Sequence, residues 1–171
     1  MNRRTLLAGV GGGVAVGLGA RFALSSDGPD TLEPATVDAV GPDGGDAGAV
    51  TVPGSGVPTV VDLFATSCRP CDDQVAALST ARERLDVDAT FVSVSNELVG
   101  ERLTRRDVAD WFADAGGTWT VALDDDSTLI HRLGAREIPF TAVVAPDGRV
   151  TWSESGVTSA DRVVEEVRAV A

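Results

Sequence analysis

The chain has 171 residues, 43% of them hydrophobic and 23% charged, with a formal net charge of -12. That length suits one domain with appended segments, and so acidic a surface argues against nucleic acid and against anionic lipid headgroups as partners. All 14 basic residues are arginine, and aspartate outnumbers glutamate.

The chain opens on "MNRRTLLAGVGGGVAVGLGARFAL". Arg3 and Arg4 precede an uncharged apolar run over residues 5–20, the order of an export signal. The paired arginines followed by Thr-Leu-Leu resemble a twin-arginine signal. A spanning helix needs ~20 apolar residues, and the run reaches that length only if it continues through Arg21 to Leu24. Its six glycines disfavour an ordinary buried helix. Leu18-Gly19-Ala20 is a poorly formed cleavage site, and no cysteine follows to carry a lipid. Residues 1–24 are therefore expected to be a signal or a membrane anchor. The protein is expected outside the cytoplasm, anchored or secreted after cleavage.

Pro, Gly, Asp, Ser and Thr dominate the next stretch. Residues 25–47 are expected to form an acidic flexible linker, with a short edge strand at Ala49–Val52. From Val57 the periodicity sharpens. "VPTVVDLFAT" is a β-branched apolar run, a central strand. "CDDQVAALSTARERL" places Val75, Leu78 and Leu85 on one face of a helix. "ATFVSVSN" alternates as a strand, "TRRDVADWFADAG" is a helix, and "WTVALD" is a short strand before the helix "DSTLIHRLG". "FTAVVAPDGRVTWSES" is a hairpin around a Pro-Asp-Gly turn. "TSADRVVEEVRAVA" is a closing helix capped by Thr158 or Ser159. This order implies an α/β fold with a central mixed β-sheet flanked by helices.

The only two cysteines lie in "FATSCRPCDDQ". As a staple, Cys68–Cys71 closes a loop so short that it contributes only ~2 kcal/mol in the chain-entropy model. As a zinc site it lacks two of the usual four ligands. A reactive dithiol fits best. Cys68 falls where the strand ends and the helix begins, so unpaired N–H groups and the helix dipole favour its thiolate. Arg69 adds positive charge, Pro70 stiffens the first turn, and Asp72 and Asp73 oppose the thiolate. Cys68 is the expected nucleophile and Cys71 the resolving thiol.

"VVDLFATSCRPC" resembles the active-site strand and motif of thioredoxin-like proteins. "LGAREIPFTAVVAPDGRV", about 70 residues on, resembles their cis-proline loop at Ile138-Pro139 and the hairpin after it. With the N-terminal segment, the chain looks most like the exported TlpA-type branch. The resemblance implies a thioredoxin-like domain over residues 48–171 and no cofactor beyond the redox-active Cys68–Cys71 disulfide. The implied activity is reduction of disulfides in exported proteins, apocytochromes c among them. A membrane electron donor is the implied upstream partner. Departures are Ser67 before the first cysteine, Phe64 in place of a common Trp, Arg69 between the cysteines, and Phe140 after Pro139.

Asp62 matches the acid that thioredoxins bury behind the second cysteine. That match implies a general base for Cys71; the alternative is a solvent-facing strand residue. The resemblance implies that Pro139, in a cis bond, sits against the cysteines as part of the catalytic site, with substrate contacts at Arg69, Pro70, Ile138 and Phe140; for Phe140, as for Phe64 and Trp111, the alternative is a core residue. His131 reads as an ordinary exposed residue, and no metal is expected. Two other functions stay open: a disulfide-donating oxidase, and a non-catalytic metal or copper chaperone using the two thiols. The lysine-free, Asp-rich composition also resembles that of proteins from extreme halophiles. There, screening over ~3 Å in 1 M salt quiets self-repulsion. Arginine bias from a GC-rich genome explains the missing lysine but not the excess of acid.

Overall fold

The computed structural model describes residues 30–171. The expected signal or anchor over residues 1–24, with its arginine pair and cleavage motif, lies outside the described residues. So does the first part of the expected linker.

The rest of that linker is a correction: it belongs to the sheet. Leu32 is buried, its N–H donates to Gly148 O at 2.8 Å, and Thr31 bridges Arg149. Strand β1 (Ala35–Val40) turns Ala35, Val37 and Ala39 into the core and pairs antiparallel with β2 (Asp46–Val52). The folded domain therefore reaches back at least to residue 30, ahead of the expected residue 48. Composition hid β1. Its inward side chains are small, and the "GPDGG" after it has the make-up of a tether. Those residues are a hairpin turn, with Gly41 N–H donating to Gly45 O and Gly45 N–H to Asp43 Oδ1.

The remaining elements follow in the order that periodicity predicts. They are β3 (Thr59–Phe64), α1 (Arg69–Arg84), β4 (Thr90–Ser95), α2 (Arg105–Asp114), β5 (Thr120–Leu123), α3 (Thr128–Leu133), β6 (Phe140–Val144), β7 (Val150–Ser155) and α4 (Ala160–Arg168). The seven strands form one sheet in the order β2-β1-β5-β4-β3-β6-β7. β3, β4 and β5 run parallel to one another; β1 against β5 and β6 against β3 are antiparallel. This is the central mixed sheet expected.

Each face is sealed by helices. Val61, Leu63, Val92 and Val94 pack toward Leu129 and Leu133 of α3. On the other face, Phe64 packs with Cys71 and Val75 of α1 and Val108 and Phe112 of α2. Val60 packs there with Leu78 of α1 and Val163 and Val167 of α4. Local chemistry starts each helix. Thr104 and Asp107 form a reciprocal capping box on α2, a device that contributes about 1 kcal/mol. Ser159 Oγ accepts from Arg162 N–H at the start of α4. The buried Asp124 carboxylate accepts from the Leu129 and Ile130 N–H groups of α3. Gly117 lies under the Phe112 ring, where a Cβ would come within 2.3 Å of a ring carbon.

The β1 correction has a direct test. A chain starting at Gly48 lacks β1, exposes the edge of β5 and removes Val37 from the core. It is expected to lose the cooperative urea transition that a chain starting at Asp30 retains, followed by circular dichroism. Equal transitions in the two chains would show that β1 is dispensable.

Candidate active site

All six residues of β3 are buried. The strand delivers the chain directly to the N-terminus of α1. Cys68 N–H donates to Ala65 O at 3.0 Å, closing a turn, and Cys68 is the extended N-cap residue of the helix. Cys71 N–H donates back to Cys68 O at 3.0 Å. Pro70 occupies the first turn, where its missing N–H removes no helix bond. Cys68 and Cys71 are joined by a disulfide, with their Cα atoms 5.4 Å apart. Their access differs: Cys71 is fully buried and Cys68 half-buried. On reduction, Cys68 is the thiol that combines solvent access with the positive end of the helix, the setting that favours a thiolate.

The other expected contact residues divide. Arg69 and Pro70 are exposed beside Cys68. Ile138 is half-buried and packs against the apolar cluster that also receives both cysteines. Its bond to Pro139 is cis, and Pro139 O accepts from Gly156 N–H at 2.7 Å. Phe140 is the first residue of β6, paired with Leu63, and its ring is buried in the core on the α3 side. Strand alternation turns that side chain away from the cysteines, which is the core alternative for this residue. Trp111 of α2 stacks on Phe64 with ring centroids 4.7 Å apart, covering the end of β3. His131 is exposed, with Nδ1 2.6 Å from Ser127 O.

Asp62 is 1% exposed. Its neighbours on the same strand face, Val60 and Phe64, pack under α1, so Asp62 faces the underside of the helix that carries both cysteines. The register sets Ser93 beside it on β4 and Thr141 beside it on β6. Ser93 Oγ donates to Asp62 Oδ2 at 2.8 Å, and Trp119 Nε1 donates to Ser93 Oγ at 3.1 Å. Asp62 Oδ1 and Thr141 Oγ1 make no hydrogen bond within the described residues. Burial pushes the Asp62 carboxyl up to about 7, against a smaller opposing effect of the Ser93 hydrogen bond. A carboxyl at that value exchanges its proton near neutral pH.

Sequence reasoning missed three supports of this site. Ser93 and its donor Trp119 depend on strand register. Their only advance signal was the serine at every second position in "SVS". Glu97, just after β4, accepts from Thr66 N–H at 2.7 Å, Thr66 Oγ1 at 3.0 Å and Ser95 Oγ at 3.1 Å. It thereby fixes the turn that leads into Cys68. Gln74 Oε1 accepts from Thr158 N–H at 2.6 Å, tying α1 just beyond Cys71 to the loop before α4. Among the described residues no group of three or more His, Cys, Asp or Glu converges. A cleft of about 530 Å³ near Val40, Phe112 and Trp119 has no titratable side chain in its wall.

Asp62 makes stability depend on pH. Its folded value of about 7 lies above the ordinary 3.8 of the unfolded chain. Between those values the unfolded state binds fewer protons, so stability falls as pH rises from about 4 to about 7 and then levels. At pH 8 the unfavourable contribution is about 4 kcal/mol at most. Asp62→Asn keeps an acceptor for Ser93 and removes the charge. The oxidised variant is expected to gain about 2–4 kcal/mol over wild type at pH 8 and little at pH 4. Urea titrations at the two pH values measure this, and equal differences at both would place the carboxylate in solvent.

A family model described as Redoxin matches residues 43–170. StoA from Bacillus subtilis superposes with a TM-score of 0.64 at 19% identity, over 81% of this chain and 98% of that one. A putative thiol:disulfide interchange protein DsbE from Chlorobium tepidum gives 0.66 at 18%, over 85% and 99%. The exposed lipoprotein thioredoxin Etrx1 from Streptococcus pneumoniae gives 0.59 at 18%, over 79% and 99%. None of the curated proteins matches the chain. At these identities the structural likeness establishes the thioredoxin-like fold. A Cys-x-x-Cys pair that closes to a disulfide at a helix N-terminus on this fold is the equipment of a thiol-disulfide oxidoreductase. The family match runs from the β1–β2 turn past the end of α4, and the chain therefore belongs to the Redoxin family.

Proposed function

We propose that this protein reduces disulfides of exported proteins outside the cytoplasm. The observation that carries the reading is the pairing of a half-buried Cys68 at a helix end with a buried Cys71, on the helix that covers the strand face carrying a carboxyl near neutral pKa. The Cys68 thiolate attacks one sulfur of a substrate disulfide; the displaced sulfur leaves as a thiolate and takes a proton. Asp62, ionised, accepts the Cys71 proton. The Cys71 thiolate then attacks Cys68 Sγ, releases the second substrate thiol and leaves the Cys68–Cys71 disulfide. Two electrons and two protons pass to the substrate. A membrane thiol donor restores the dithiol. Arg69, Pro70 and Ile138 border the attacked bond, and Pro139, lacking an N–H, leaves the neighbouring backbone open to an extended substrate.

The location follows from residues 1–24, read as a twin-arginine signal or a retained anchor. Export to an oxidising compartment supplies the disulfides that the reaction consumes. The similar Etrx1 is an exposed lipoprotein, which supports the same placement. Apocytochrome c is the substrate that the TlpA-type resemblance favours. Among the described residues no helix is long and apolar enough to cross a membrane.

Two measurements test the reading. Cys71→Ser is expected to accumulate mixed disulfides through Cys68, whereas Cys68→Ser accumulates few. The wild-type pair is expected to equilibrate nearer the about -270 mV of a reductant than the about -120 mV of an oxidant. Trapping through Cys71, or a potential at the oxidant end, would overturn the order of attack or the direction.

Asp62 is tested by separating the two chemical steps. Asp62→Asn is expected to slow resolution of the mixed disulfide about 10- to 100-fold at pH 7, and less at pH values where Cys71 ionises unaided. Attack by Cys68 changes less. Single-turnover reduction followed across pH reads both steps, and unchanged resolution would remove Asp62 from the mechanism.

A further inference from the structure

Two large apolar side chains stand out of an otherwise acidic surface. Among the described residues, only Leu98 at 76% and Val157 at 49% are strongly exposed large hydrophobics. Single exposed apolar residues are ordinary on a protein surface. Here the topology brings both to one end of the sheet. β4 runs parallel to β3, and β7, antiparallel to β6, runs in the direction of β3 as well. The loops that follow β4 and β7 therefore emerge at the same end as the turn that carries Cys68. In the strand order β4-β3-β6-β7 they emerge on opposite sides of it.

Both loops are also tied to the disulfide's own supports. Glu97, next to Leu98, accepts two hydrogen bonds from Thr66 in the turn before Cys68. Val99 and Leu103 of the same loop pack on the apolar cluster that receives both cysteines. On the other side, Gly156 N–H donates to Pro139 O and Thr158 N–H to Gln74 Oε1, which holds Val157 beside the cis-proline loop. A side chain exposed on a loop anchored in this way is held at the end of the sheet where Cys68 lies.

We propose that Leu98, with Val157 opposite, selects extended polypeptides that carry an apolar residue beside the reacting cysteine. Leu98 is the specificity-determining residue of the pair. The inference rests on the thiol-disulfide reading of the site. It commits the substrate class to polypeptide disulfides with apolar neighbours over small anionic disulfides, which a chain of net charge -12 repels.

The test compares second-order reduction rates of two synthetic peptides that differ only next to the attacked cysteine, one with leucine and one with serine. Cystamine, a small disulfide, is the control on wild type. Wild type is expected to favour the leucine peptide about 5- to 20-fold, the scale of taking one such side chain out of water. Leu98→Ser should bring that ratio close to one, and Leu98→Met should restore it. Leu98 is exposed, so neither variant opens the core. A wild type that reduces cystamine but shows no preference, or a Leu98→Ser variant that keeps the full preference, overturns this inference alone. A wild type that reduces none of the three disulfides overturns the thiol-disulfide reading and this inference with it.

Discussion

A strand that never touches water governs the rest of this molecule. β3 is buried along its whole length, so both its edges must be paired and both its faces covered. β4 and β6 pair the edges. α3 covers one face; α1, α2 and α4 cover the other. Because the chain passes from β3 straight into α1, packing of the strand also fixes the first turn of the helix. The cysteines inherit that position. Glu97 restrains the approach to Cys68 through Thr66, and Gln74 restrains the helix beyond Cys71 through Thr158. Hydrogen bonds to a charged group are the stronger kind, so the Glu97 tie is the firmer of the two.

The same burial sets the behaviour of Asp62. A carboxylate deep in a sheet is costly when ionised, and its one side-chain hydrogen bond comes from the neutral Ser93 hydroxyl. The proton is therefore retained to near neutral pH. Stability and chemistry pull in opposite directions at this residue: the fold is more stable when Asp62 is protonated, and the proposed resolution step needs it ionised. Unfavourable polar groups of this kind cluster at functional sites because the surrounding structure holds them there. The row Thr141–Asp62–Ser93 across β6, β3 and β4 is the one strip of polar side chains through this part of the sheet.

Much of this was legible in the chain. The β-branched run before "SCRPC", the proline at residue 139 and the Pro-Asp-Gly turn each announce themselves by residue type, so the order of elements from β3 onward came through. So did the inward placement of Asp62, which follows from the motif. What failed was whatever depends on partners distant in sequence. β1 has small inward side chains and a glycine-rich turn, and only its pairing with β5 and β2 distinguishes it from a tether. Phe140 stood open between contact and core because it follows Pro139, and only its place in β6 shows the side chain on the α3 face. Ser93 and Trp119 become relevant only when the β3–β4 register is known, since a shift of one residue would turn both hydroxyl and carboxylate elsewhere.

β2 brings one more consequence. It is one of the sheet's two edge strands, β7 being the other, and an edge strand offers unpaired backbone groups to any extended chain nearby. This one begins with Asp46, carries Gly48 at a φ of 89°, and meets β1 through an irregular register between Asp38 and Val40. An acid, a kink and an interrupted ladder make a poor template for further growth. Extended chains are thereby discouraged from zipping onto this flank of the sheet, away from the end where the thiols are.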